Sequence, residues 1–308
     1  PTDCPQRNER MGWTGDAQIF TRTATYLKNS DQFYNKYMYD VRTSQRSDGA
    51  CPNVAPALKV YESYYNNGWG DAGLIIPWQM YQQYGDTQII KDNYDGMKAW
   101  VDLLYNTTNG TYLRPAEGLG DWLNVQGTDT GLTNSAFFVY SSELMSKMAA
   151  VVDNEKDSTY YGDMAQKAKE AWKNKYQNED GTLKENTQTA CLVALEFDIV
   201  EDEADRAVIA KQLVDNIRAN DNHLTVGFVG VSYLCPVLSE MGYDDVAYTL
   251  LQQETYPSWL YSVNQGATTI WERWNSYTKE NGFGDVSMNS FNHYSFGSIA
   301  EWMYRDRK

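Results

Sequence analysis

Fourteen residues near the start of the chain, Asp3-Cys4-Pro5-Gln6-Arg7-Asn8-Glu9-Arg10-Met11-Gly12-Trp13-Thr14-Gly15-Asp16, gather three carboxylates, two guanidinium groups and a tryptophan. Clustered carboxylates raise one another's pKa, because like charges disfavour ionisation. A carboxylic acid kept protonated near neutral pH can act as a general acid. Pro5, Gly12 and Gly15 make the stretch a loop, with Thr14 or Asp16 placed to cap a helix that follows. The same composition would also make a surface loop tied by Arg–Glu ion pairs.

A second constellation, Gly266-Ala267-Thr268-Thr269-Ile270-Trp271-Glu272-Arg273-Trp274, sets Glu272 among tryptophans. It reads as a desolvated acid beside a stacking platform, or as a helix-end glutamate paired with Arg273. Three further pairings put an aromatic ring near a carboxylate: Trp13 with Asp16, Trp69-Gly70-Asp71, and Asp121-Trp122. A sugar subsite needs that combination, since a sugar offers C–H faces to rings and hydroxyls to polar partners. A helix N-cap aspartate beside a buried tryptophan would give Trp69-Gly70-Asp71 and Asp121-Trp122 equally well. On their own, His293 in Phe291-Asn292-His293-Tyr294 and His223 after Asn222 read as structural histidines. No nucleophile elbow, phosphate loop, dinucleotide fingerprint or EF-hand loop occurs.

These residues need elements to hold them, and helical periodicity dominates the chain. Phe137, Tyr140, Leu144, Met148 and Val151 recur at three- and four-residue steps within 133–152, and Ile209, Leu213 and Ile217 do so within 203–219. Segments 16–43, 70–84, 88–105, 158–176, 188–198, 229–240, 244–253 and 293–305 also read as helices. Turn clusters separate them, including Asn66-Asn67-Gly68, Asp180-Gly181 and Glu280 to Gly284. Strand alternation is scarce. Such a series of helices with long loops predicts an all-α fold of hairpins arranged as an α/α toroid, in one domain over 1–308, with the chemistry on loops at the helix ends. A four-helix bundle is too small for it.

The chain has 308 residues, 42% hydrophobic and 22% charged, which suits one large folded domain and excludes disorder. A formal net charge of -15 makes nucleic acid and anionic membranes poor partners, while a neutral substrate is compatible with it. The aromatic content, with 10 Trp and 24 Tyr, suits either carbohydrate binding or an aromatic core. Cys4, Cys51, Cys191 and Cys235 are far apart, which favours free buried thiols over a zinc site or disulfide framework. Two histidines, His223 and His293, cannot make a histidine-rich metal site, and no apolar run reaches the ~18 residues of a membrane span.

Taken together, the motifs resemble one family, the α-L-rhamnosidases of glycoside hydrolase family 78. The resemblance rests on Asp3 to Asp16, Gly68-Trp69-Gly70-Asp71-Ala72, Gly120-Asp121-Trp122, Thr225-Val226-Gly227-Phe228, Tyr256-Pro257-Ser258-Trp259, Gly266 to Trp274 and Ser290-Phe291-Asn292-His293-Tyr294, in order along the whole chain. It implies an (α/α)6 barrel and inverting hydrolysis of terminal α-L-rhamnose from glycosides or polysaccharides. By the same carry-over, Glu9 is the general acid and Glu272 the general base. Asp3, Arg7 and Asp16 hold rhamnose hydroxyls, and Trp13, Trp69 and Trp122 wall the pocket. His293 contacts the sugar, with Trp274, Trp271, Asp71 and Asp121 as further candidates. No metal or organic cofactor is implied, and the carbohydrate substrate is the one partner.

Family members usually carry β-sandwich domains on both sides of the barrel, so this segment is expected to lack them and the first barrel helix. A bacterium scavenging glycosides in its periplasm or outside the cell is the implied setting. The chain departs from the family pattern at Asn8, where many members carry Asp; one fewer negative charge beside Glu9 would lower the pKa of that acid slightly. Thr225-Val226-Gly227 also replaces the more usual Asp-Thr-Gly. Two other readings keep parts of this picture: a helical-toroid enzyme acting on a different sugar, or a rhamnoside-binding remnant without turnover.

Overall fold

The computed structural model describes residues 10–58, 63–288 and 290–305. Among them, twelve α-helices carry the fold: α1 (Thr14–Leu27), α2 (Asp31–Thr43), α3 (Ala72–Tyr84), α4 (Thr87–Thr107), α5 (Thr130–Val151), α6 (Glu155–Tyr176), α7 (Gln188–Glu196), α8 (Glu203–Ala219), α9 (Phe228–Glu240), α10 (Asp244–Leu251), α11 (Trp259–Asn264) and α12 (Ala300–Arg305). Their one sheet is a two-residue antiparallel hairpin, β1 (Tyr277–Thr278) with β2 (Gly282–Phe283), closed at the turn that the sequence marks around Glu280. None of these helices is long and apolar enough to cross a membrane. The all-α expectation holds.

The helices gather into two compact units. One comprises Met11–Gly120 and Asp129–Tyr176, the other Arg10, 121–128 and the described residues from 177 onward. In the first, α5 packs on α3, α4 and α6. It is buried on nearly every side, including Leu132, Ala136, Phe137, Phe138, Met145 and Met148. The sequence stripe through Phe137, Leu144 and Met148 is therefore only part of its apolar surface, as befits a helix packed on several sides. In the second, α7 is the equivalent: Gln188 to Leu195 are all buried where it meets α8 and α9. Each apolar side chain of Leu or Phe size buried there contributes about 1.5–3 kcal/mol.

Local chemistry sets the ends of several elements. Gly85, at φ 70°, closes α3 in the left-handed region, and its N–H donates to Tyr81 O. Asp86 then caps α4 by accepting from the Gln88 and Ile89 N–H groups. Asp129, Asp202 and Ser258 cap α5, α8 and α11 the same way.

Four sequence expectations need correction. The helix expected over 16–43 breaks at Lys28-Asn29-Ser30, where the Ser30 hydroxyl donates to the carbonyls of Ala24 and Lys28. Neither Thr14 nor Asp16 caps α1: its N-cap is Trp13, and the Thr14 hydroxyl turns to the Pro52 and Asn53 carbonyls. The short α11 carries too few residues for periodicity to reveal it. Finally, 293–305 is not one helix, because a 3-10 segment at Ser295–Ile299 precedes α12.

Candidate active site

Glu9, Asp3 and Arg7 lie outside the described residues, as does Cys4. The remaining candidates fall into two groups, one in each unit.

In the second unit, Glu272 is only 2% exposed. Its backbone N–H donates to Ser290 O at 2.9 Å, and the Ser290 N–H returns a bond to Glu272 Oε2 at 2.9 Å. Two residues away, the His293 N–H donates to Ile270 O. These three bonds zip 270–272 against 290–293 and fix where the Glu272 carboxylate points. His293 is itself 3% exposed, and the Ser295 N–H donates to its Nδ1 at 3.4 Å.

Aromatic rings tie this loop pair to α9. Trp274 stacks on Phe296 at 4.0 Å, Phe296 meets Phe228 edge-on at 5.2 Å, and Phe228 lies 5.0 Å from His293. Trp271 packs edge-on against Phe291 instead. The Trp274 Nε1 is buried and donates to no described residue.

Trp122 is half-buried and reaches the same helix through its backbone, whose carbonyl accepts the Phe228 N–H. Its neighbour Asp121 is 1% exposed. Asp121 Oδ2 accepts from Gly227 N at 2.8 Å and from the Thr189 hydroxyl. Its Oδ1 accepts from Val229 N at 2.8 Å and Gly230 N at 3.3 Å. Burial pushes this carboxyl up, and the four donors pull against that. Asp121 thus caps α9 across the chain; the sequence offers an N-cap aspartate here, but the helix that it caps is remote along the chain. Gly227 is obligatory there: a Cβ would lie 2.7 Å from Asn124 N and Asp121 O, and closer still to Trp122 O.

In the first unit, Asp16 sits in the first turn of α1, 3% exposed. Trp13 precedes it, half-buried and bridged to Val54. Trp69 is 2% exposed and lies over Gly15, whose added Cβ would fall 2.6 Å from the indole. Its Nε1 also donates to no described residue. Gln18 Nε2 donates to Gly68 O, which fastens the turn before Trp69 to α1.

Asp71 does not serve Trp69. It is fully buried and accepts from Gly68 N at 2.7 Å, Trp100 Nε1 at 2.9 Å and the Ser141 hydroxyl at 2.6 Å. It is a hub joining α3, α4 and α5, and burial raises its pKa against those bonds. Both Asp71 and Asp121 commit their carboxylates to framework hydrogen bonds. Among the described residues no group of three His, Cys, Asp or Glu side chains could hold a metal ion. Cys51, Cys191 and Cys235 are free and buried, as expected.

Helical hairpins whose loops hold a buried carboxylate among tryptophans define the six-hairpin class of glycosidase domain. Residues 1–306 match the bacterial alpha-L-rhamnosidase 6 hairpin glycosidase domain, and the chain belongs to that family. It is 44% identical over 305 residues to an alpha-L-rhamnosidase of Streptomyces avermitilis, covering 99% of this chain and 29% of that protein. The crystal structure of the Streptomyces avermitilis enzyme complexed with L-rhamnose superposes with a TM-score of 0.94 at 43% identity, over 99% of this chain and 29% of that one. The native enzyme from Aspergillus terreus gives 0.93 at 31% identity, over 99% and 36%. The chain therefore has the six-hairpin fold and spans 29% to 34% of the length of the curated relatives it matches.

Proposed function

We propose that this chain is the catalytic domain of an inverting α-L-rhamnosidase that removes terminal α-L-rhamnose from glycosides or polysaccharides. The observation that carries the reading is Glu272: a carboxylate almost closed to solvent, aimed by the Ser290 N–H, on a loop that also carries Trp274 and that the His293 backbone N–H pins at Ile270. Family membership and the rhamnose complex of the Streptomyces relative support the sugar.

In this reading Glu9 protonates the departing glycosidic oxygen, while Glu272 deprotonates a water that attacks the opposite face of the anomeric carbon. Asp16, Asp3 and Arg7 hold ring hydroxyls, and Trp13, Trp69 and Trp122 give the sugar its apolar walls. Asp16 and Asp3 also stabilise the oxocarbenium-like charge of the transition state.

The test is a panel of nitrophenyl glycosides with the protein, Glu272→Gln and Glu9→Gln, followed by proton NMR of the first product anomer. Cleavage of the α-L-rhamnoside alone, release of the inverted anomer, and loss of roughly 10²–10⁴-fold in Glu272→Gln are expected. Glu9→Gln should lose much less on nitrophenyl substrates than on alkyl rhamnosides, because nitrophenolate leaves with little acid assistance. A retained anomer overturns the mechanism, and a different glycoside cleaved overturns the substrate.

A further inference from the structure

We propose that the first unit carries a second, non-catalytic saccharide-binding cleft between α4 and α6, and that its occupant is a neutral sugar. The cleft has a volume of about 480 Å³, within the ~300–1,000 Å³ range of small-molecule sites. One face of α4 supplies Lys98, Asp102 and Tyr105, and the first turns of α6 supply Lys156, Asp157 and Tyr160. None of these residues belongs to the groups built on Glu272 or Trp69.

The cleft is preorganised. Lys98 Nζ and the Tyr94 hydroxyl both donate to Asp157 Oδ2, at 2.7 and 2.9 Å. The Tyr161 hydroxyl donates to Asp102 Oδ1 at 2.9 Å, and Tyr160 packs edge-on against Tyr161 at 5.0 Å. Rigid walls of this kind lose little freedom when a ligand arrives. Three groups of the lining residues have no hydrogen-bond partner among the described residues: the second oxygen of Asp102, the Lys156 ammonium and the Tyr160 hydroxyl. They offer an acceptor, a donor and a group that does either, beside a tyrosine ring that is half exposed, at 51%.

This set selects a ligand class. Lys98 is paired with Asp157, and the lining holds two lysines and two aspartates, so the lining itself carries no net charge, with Lys167 close by it. A phosphate or uronate would also meet two carboxylates, in a chain of net charge -15. Hydroxyls that both donate and accept, on a ring with apolar faces, satisfy every group present. A neutral pyranose has that chemistry. Such a cleft would hold a polysaccharide chain or glycoside on the protein while hydrolysis proceeds elsewhere.

The experiment reads the cleft and not the reaction, so its failure is separate from failure of the rhamnosidase reading. The 308-residue chain is labelled with 3-fluorotyrosine, and the Tyr105 and Tyr160 fluorine signals are assigned from Tyr105→Phe and Tyr160→Phe. Methyl α-L-rhamnopyranoside and maltotriose are titrated to about 50 mM, above the millimolar Kd of weak sites. Galacturonate and inorganic phosphate are the charged comparisons. Saturable movement of both signals by at least one neutral sugar, weakened about tenfold by Asp102→Asn and by the exposed Lys156→Ala, is expected. No movement, movement with the charged probes alone, or titrations unchanged by both substitutions overturns the proposal.

Discussion

Removing the Asp121 carboxylate tests the claim that it is a framework residue holding Trp122 on α9. Asp121→Ala strands the N–H groups of Gly227, Val229 and Gly230, together with the Thr189 hydroxyl, in a place closed to water. The hydroxyl can turn to another acceptor, but the three amides cannot. At about 1 kcal/mol or more for each stranded donor, plus the lost attraction of an anion for the positive end of α9, the cost is roughly 3–5 kcal/mol. Asp121→Asn separates the contributions. Its amide oxygen can keep Val229 and Gly230, and Thr189 can rotate to accept from the amide nitrogen, so Gly227 alone loses its acceptor. That substitution should cost about 1–3 kcal/mol. Thr189→Ala, which removes one hydroxyl and leaves the backbone bonds, should cost about 1 kcal/mol. Urea unfolding followed by far-ultraviolet circular dichroism measures all three, with an unchanged slope against denaturant showing that stability itself has moved. If Ala and Asn cost the same, and both less than about 1 kcal/mol, the carboxylate does not cap α9 as argued.

Other expectations follow from the same geometry. Burial, and then the nearby Glu240 and Glu301 carboxylates, push Glu196 up to about 8. The folded chain thus holds a proton that the unfolded chain has released. Stability should fall as pH rises from the ordinary carboxylate range near ~4.3 through about 8, and thermal melts of Glu196→Gln should show a shallower decline over that window. Gly227→Ala should destabilise by about 1–3 kcal/mol, read from the same urea curves, because its Cβ meets backbone atoms that cannot step aside. The thiols of Cys51, Cys191 and Cys235 are buried, and burial raises all three pKa values, to about 12 for Cys191. They should ignore Ellman's reagent in the native protein and react once urea unfolds it.

Much of the fold is legible in the sequence, for local reasons. The Ile209, Leu213 and Ile217 spacing is the buried face of α8, and Gly85-Asp86 spells the end of one helix and the cap of the next. The break after Leu27 is not legible, because no glycine or proline marks it and a serine hydroxyl does the work. Site chemistry divides along the same line. Glu272 between tryptophans is visible in nine residues of sequence. The Ser290 N–H that aims it comes from another loop, 18 residues on. Asp121 beside Trp122 looks like a sugar contact, and only the approach of residues 68 to 109 positions away turns it into a helix cap. Pairings at such distances follow from the tertiary fold, and local spacing carries no trace of them.

The burial of α5 and α7 on nearly every side has a consequence for how the protein breathes. A backbone amide exchanges its hydrogen with solvent when the surrounding structure opens, and a helix walled in by neighbours opens only when those neighbours leave. Each unit thus has its own last-to-exchange segment, Leu132 to Met148 in one and Thr189 to Leu195 in the other. Hydrogen–deuterium exchange would therefore show two separate slow cores. The β1–β2 hairpin, with Phe283 at 71% exposure, would exchange long before either. Loops that receive and release a ligand can loosen without melting the helices beneath them.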